Sequence, residues 1–289
     1  MSLGTRTLLA TLLLALAGSW QAQAHAEGID TEHLFGFMIG SDVGTPGERE
    51  LQSQSTARAS RSGSSYRSGS QQFELEFVPA RNFRVELGSS FVAHRIQGVA
   101  GFDDRREAAW QGASVDLRYR LLDREAAPFG MSVALENHAD RVDETSGARV
   151  QAFGSELTLA LDRELIPDRL LAAVNLSYQP EWTRPIDAGR TERSSGLGVA
   201  AALMAQLRPG LLLGGEARYL RNYDGIGLDQ LTGQAWFVGP TAYFKLSETS
   251  RLTVAWSLQV WGHGAGSNAA LDLINFDRHQ ARLTYGVNF

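Results

Sequence analysis

The stretch ARLTYGVNF, residues 281–289, puts Ala281, Leu283, Tyr285, Val287 and Phe289 on one parity and Arg282, Thr284, Gly286 and Asn288 on the other. Strict alternation of this kind marks a β-strand whose two faces meet different surroundings. The chain stops on this strand, at an aromatic residue, whereas chain ends usually fray and carry polar residues. A last strand of this kind is expected to be held in place.

The same period of two runs through most of the chain. FELEF sets Phe73, Leu75 and Phe77 against Glu74 and Glu76, and FRVEL sets Phe83, Val85 and Leu87 against Arg84 and Glu86, with VPARN as the turn between. Pairing Phe77 with Phe83 would bring Glu76 opposite Arg84 and Leu75 opposite Val85, satisfying both faces. Further hairpins follow: Val115–Leu121 with Met131–Leu135, Phe153–Leu161 with Val174–Trp182, Leu207 opposite Leu211, and Phe244 near Val254 with Ala242 near Trp256. The other connections are long and polar, above all residues 45–70, 222–233 and 262–278. Counting a first strand at His33–Val43 and the closing one gives about twelve strands, with ten or fourteen still open because strand ends are uncertain by a few residues.

Composition narrows the class. The 289 residues carry a formal charge of −5 with 20% charged and 43% hydrophobic residues, which gives no reason to expect nucleic acid as a partner. There is no cysteine, so disulfides, thiolate metal sites and cysteine nucleophiles are excluded. Arg6 followed by TLLATLLLALAGSW and QAQAHAEG reads as an export signal, with cleavage preferred after Ala26. Residues 27–289 would then form a single domain.

Strands of about ten residues cross a bilayer when tilted, whereas strands of soluble sandwiches average five or six. The face opposite the apolar one mixes small residues (Gly196, Gly198, Ala200, Ala202, Gly214, Gly239) with the charges of Glu74, Glu76, Arg84, Glu86, Asp116, Arg118, Glu156, Glu216, Arg218 and Lys245. That mixture suits a crowded lumen, and these ten charged residues are the candidate pore lining. Tyr119, Tyr178, Trp182, Tyr219, Trp236, Trp256 and Tyr285 share parity with the apolar face, as aromatics at a membrane interface do. A bilayer forbids open sheet edges, so the first and last strands are expected to pair.

An export signal, alternating strands and a terminal aromatic strand together resemble Gram-negative outer-membrane β-barrel proteins. The resemblance implies a transmembrane up-and-down antiparallel β-barrel in the outer membrane, in contact with its lipid and lipopolysaccharide. It also implies that Leu283, Tyr285, Val287 and Phe289 are read by the barrel-assembly machinery, with periplasmic chaperones assisting. A porin-like channel for passive diffusion of small hydrophilic solutes is then the leading expectation, without enzymatic activity, metal or cofactor. About twelve strands suits a narrow pore, and the mixed lumen charges suit weak ion selectivity. Glu76 near Arg84 and Glu216 near Arg218 read as structural pairs, and Phe237 opposite Trp261 as a constriction or space filler.

Two other classes compete. A lipid-modifying hydrolase would need a serine and a histidine in reach on the wall. Ser155 has the outward parity, but its neighbour Asn137 is followed by His138 of the wrong parity, and His94, His263 and His279 are scattered. Asp103 and Asp104 read as a charged loop. A structural or adhesion barrel would act through its loops, of which the first, with Arg49, Arg58, Arg61 and Arg67, could attract anions or lipopolysaccharide phosphate. The amino-terminal EGIDTEH is expected to be too short to act as a plug.

Overall fold

A computed structural model of the protein describes residues 28–187 and 189–289. The expected export signal, residues 1–26, lies outside the described residues. Twelve strands follow in order: β1 Arg49–Ala59, β2 Gly63–Ala80, β3 Phe83–Val99, β4 Arg105–Leu122, β5 Gly130–Val142 and β6 Arg149–Ile166, then β7 Leu170–Pro185, β8 Glu192–Arg208, β9 Leu211–Asp224, β10 Gln230–Lys245, β11 Ser250–Gly264 and β12 His279–Asn288. Each pairs antiparallel with its neighbours in sequence, and β1 pairs with β12 from Glu50↔Asn288 to Ala59↔His279, so the sheet closes. The Phe289 amide donates to the Arg49 carbonyl at 3.0 Å, so the last residue is fastened to the start of β1.

Parity decides which side each residue faces. Leu75 is 42% exposed, Phe91 45%, Leu157 48% and Leu203 53%, whereas the charged Glu76 and Arg84 are 3% and 1% exposed. A water-soluble barrel would reverse this arrangement; a lipid-facing apolar belt around a polar interior requires it. Leu135, which lies on the outer face and pairs with Leu117 and Leu157, tests that belt. Leu135→Arg is expected to cost about 2–4 kcal/mol if the residue lies near the bilayer midplane, read as a lower unfolding midpoint in vesicles; an unchanged midpoint would place it away from the midplane.

Short turns close one end of the barrel. Asn82 (φ 66°), Asp168 (φ 56°) and Gly210 (φ 76°) take the left-handed backbone there, which asparagine, aspartate and glycine tolerate best. The opposite end carries the longer connections, the longest joining β11 to β12. Most are shorter than expected, because the strands run up to 18 residues and extend into segments that read as loops.

Several expectations are corrected. Residues His33–Val43 are not a strand; β1 lies instead within the segment that read as the long first loop. The registers are displaced by two: Phe77 faces Val85 and Glu76 faces Glu86, while Phe244 faces Leu252 and Ala242 faces Val254. In the β8–β9 hairpin the expected register holds along the strands, from Gln206↔Leu212 to Ser194↔Asp224, and only a bulge beside the turn sets Leu211 against Arg208 instead of Leu207. An even slip keeps every side chain on its face, so alternation alone cannot detect it. A bulge between Trp236 and Phe237 separates Phe237, which is fully buried inside, from Trp261, which is 43% exposed on the outer wall.

Candidate functional site

Residues 28–46 enter the barrel at its short-turn end and fill that half of the lumen. Ile29, Leu34, Phe35 and Met38 pack against Leu171, Ala173, Ala200, Ala202, Met204 and Leu212 of the wall. Each large apolar side chain buried this way contributes roughly 1.5–3 kcal/mol. Small side chains on β7 and β8 make the room, and Gly36 lies so close to Ala255 that a Cβ would overlap it. The segment is therefore a plug, contrary to the expectation that the amino-terminal stretch is too short for one.

The wall also holds the plug by its backbone. Glu216 accepts the amides of Gly36 (2.7 Å) and Phe37 (2.8 Å) and the Thr241 hydroxyl (2.6 Å). Asp162 accepts the Ser41 amide (2.6 Å), the Ser41 hydroxyl (2.9 Å) and the Thr31 hydroxyl (2.8 Å). Asn175 bonds both the amide (2.8 Å) and the carbonyl (2.9 Å) of Ile39. Arg124, in the β4–β5 turn, joins Asp42 (2.6 Å) to Asp162 (3.2 Å) beneath the plug. An irregular backbone buried in a lumen needs such partners, since each unmet polar group would cost about 1–3 kcal/mol. At the tip, the Phe37 ring sits between the guanidiniums of Arg218 (4.1 Å) and Arg282 (4.7 Å).

Below the tip lies an ionic lock. Arg84 contacts Glu32 of the plug (2.7 Å), Glu76 (3.5 Å) and Glu86, and Arg251 contacts Glu50. His33 Nε2 stands 3.6–3.9 Å from Glu32, Glu50 and Glu76. Glu32, His33 and Glu76 are close enough to share a metal ion, but Arg84 already engages both carboxylates, so the group reads as an ion-pair cluster.

Above the plug a polar cavity of about 1470 Å³ reaches to the long-connection rim. Twelve carboxylates and eight guanidiniums line it. Glu50, Glu76, Glu86, Asp116, Glu136 and Glu156 face one another across β1 to β6 in direct register. Like charges so placed repel, and Arg251, Arg84 and Arg118 offset the repulsion only as far as Asp116. Two connections fold inward over the mouth. Glu144 meets Arg58 at 2.8 Å, while Asp277 meets Arg61 at 2.6 Å. Burial would raise the Glu144 carboxyl, but Arg58, the Ser70 hydroxyl and Arg282 outweigh it and hold it below the ordinary range.

The charged residues singled out from sequence separate into three groups. Glu74, Arg84, Glu86, Asp116, Arg118, Glu156 and Arg218 border the cavity. Glu76 and Glu216 point inward but are covered by the plug, and Lys245 sits at the short-turn rim beside Glu248 (2.8 Å). Glu76 and Arg84 pair as expected, whereas Glu216 turns to the plug and Arg218 to Ser257 (3.0 Å) and Gln280 (2.6 Å). Of the aromatics, Tyr119, Trp236, Trp256 and Tyr285 are 39–47% exposed on the outer wall, and Tyr178, Trp182 and Tyr219 are partly covered there. Ser155 donates to Asn137 at 2.8 Å, while His138 lies inside near Asp140 (3.9 Å) and Glu181 (3.8 Å). Arg58 and Arg61 of the presumed first loop are ion-paired to Glu144 and Asp277, Arg49 begins β1, and Arg67 faces outward on β2.

An apolar outer belt, a closed twelve-stranded sheet and a polar lumen define an outer-membrane β-barrel protein, and solved structures agree. An outer-membrane channel of the COG4313 group from Pseudomonas putida F1 superposes with a TM-score of 0.56 at 14% identity, covering 86% of this chain and 98% of that one. The KdgM porin (TM-score 0.47, 11% identity, 83% and 99% covered) and the β domain of the Bordetella autotransporter BrkA (0.49, 13%, 84% and 100%) superpose less closely. No curated protein matches the chain. The chain belongs to the DUF6662 family, described as a family of unknown function, whose sequence model matches residues 27–289.

Proposed function

We propose that this barrel is a porin-like channel for passive diffusion of small hydrophilic solutes, closed at its short-turn end by residues 28–46 and opened when they move. The observation that carries this reading is the polar cavity reaching from the rim down to a plug held in place by wall side chains. The channel described for the Pseudomonas relative agrees with it, at an identity that speaks for the fold alone. The seven cavity-bordering charged residues line the path, and the excess of carboxylates gives a weak preference for cations. Enzymatic activity is no part of this reading: Ser155 donates to Asn137 and His138 stands near Glu181, so the serine–histidine pair of a wall hydrolase is not assembled there. Cleavage after Ala26 is supported by a family match that begins at residue 27. The fastening of Phe289 to Arg49 supports the terminal strand as the signal for assembly.

Liposome swelling tests the transport reading. Vesicles holding the protein are expected to swell in small sugars and small amino acids faster than empty vesicles, and not in large oligosaccharides. Equal swelling rates with and without the protein, across all solutes, would remove it. Lipid hydrolysis by the same vesicles would favour the enzyme class instead.

A further inference from the structure

On the outer wall at the long-connection end, Arg67 of β2, Arg95 of β3 and Arg106 of β4 stand directly opposite one another. All three are exposed, and none has a hydrogen-bond or ion-pair partner among the described residues. Like charges in cross-strand register repel, and an anion lying against the row would relieve that repulsion. The row beneath is Gly69, Ala93 and Ala108, and the next is Gln71, Phe91 and Trp110. Phe91 and Trp110 are 45% and 47% exposed and mark the edge of the apolar belt. The small middle row floors a shallow depression of about 490 Å³ bordered by the three arginines, with the aromatic row next along the strands. Its remaining polar side chains point inward and are engaged: Ser68 with the Tyr66 hydroxyl at 3.1 Å, Glu107 with Arg105 at 3.0 Å and His94 with the Glu144 carbonyl at 2.8 Å. Arg141, Arg149 and Arg184 extend the exposed basic band along β5 to β7.

Charge, space and an apolar floor arranged in this vertical order match one kind of molecule: an amphiphile with a phosphorylated headgroup, lying in the leaflet at the long-connection end. In outer-membrane barrels short turns face the periplasm and longer loops face outward, so this is the outer leaflet. Guanidinium is suited to phosphate because its fork of donors meets two oxygens at once. We propose that Arg67, Arg95 and Arg106 form a binding site for lipid A, the phosphorylated anchor of lipopolysaccharide. The headgroup sits over Gly69, Ala93 and Ala108, and the acyl chains run down over Phe91 and Trp110. This inference rests on the outer-membrane placement and is independent of channel activity.

The test uses the purified full-length protein in detergent, titrated with lipid A, with binding read by native mass spectrometry and the fold by circular dichroism. Replacing the three together (Arg67→Gln, Arg95→Gln, Arg106→Gln) is expected to weaken lipid A binding at least tenfold while the barrel stays folded. Arg208→Gln at the other end should leave binding unchanged. Phosphatidylglycerol is expected to bind at least tenfold more weakly than lipid A, and inorganic pyrophosphate should not displace lipid A. Should the triple variant fail to fold, Ala93→Leu fills the depression with all three charges kept, and it too is expected to weaken lipid A binding. Undiminished lipid A binding by the folded triple variant or by Ala93→Leu would overturn the site. Equal retention of phosphatidylglycerol, or displacement by pyrophosphate, would overturn lipid A as its occupant.

Discussion

Arg84→Ala is expected to destabilise the folded barrel by about 3–5 kcal/mol, the range found when one partner of a buried ion pair is removed. The Arg84 guanidinium is 1% exposed and is the shared cation of Glu32, Glu76 and Glu86. Taking it away leaves three carboxylates crowded in a space that water scarcely reaches. The plug should suffer first, because Glu32 is its residue in the cluster. Unfolding in urea should show a lower midpoint, and adding Glu32→Gln to Arg84→Ala should recover part of the loss, because the pair is coupled. A shift under about 1 kcal/mol, the size expected of exposed pairs, would contradict the buried lock.

Asp162→Ala with Glu216→Ala is expected to release the plug without opening the sheet. Together the two carboxylates accept three plug amides, at Gly36, Phe37 and Ser41, and the hydroxyls of Thr31 and Ser41. Losing them strands these donors in the lumen, at about 1–3 kcal/mol for each buried group left unsatisfied. The barrel wall is held by its own strand ladders and should persist. Hydrogen exchange should therefore accelerate strongly across residues 28–46 while the strands stay protected. Equal protection of the plug in variant and native protein would show that these two carboxylates do not hold it.

The face of almost every strand residue was legible in the sequence because lipid and lumen impose opposite chemistry on adjacent positions. The register was not, because a slip of two, as between Phe77 and Phe83, leaves both faces intact. β1 carries little sequence signal for a physical reason: its outward positions include Ser53, Ser55 and Ala57, so it lacks an apolar stripe. Residues 33–43 read as a strand because LFGFMIG carries apolar residues that alternate partly, yet Leu34 and Phe35, on opposite parities, are both buried. Two signals pointed to the plug. Gly36 and Gly40 permit close backbone approach, and the inward positions Ala173, Ala200 and Ala202 are too small to fill a lumen by themselves. The lumen charges were identified by parity, but the division between cavity border and plug contact depends on the plug and could not be read without it.

Single-channel recording in planar bilayers, comparing the native protein with the Asp162→Ala, Glu216→Ala variant, tests the stoppered channel most directly. The account predicts stepwise conductance in both, with native channels mostly closed and the variant open for a much larger fraction of the time. Silence from both proteins, although each is folded and inserted, would contradict it.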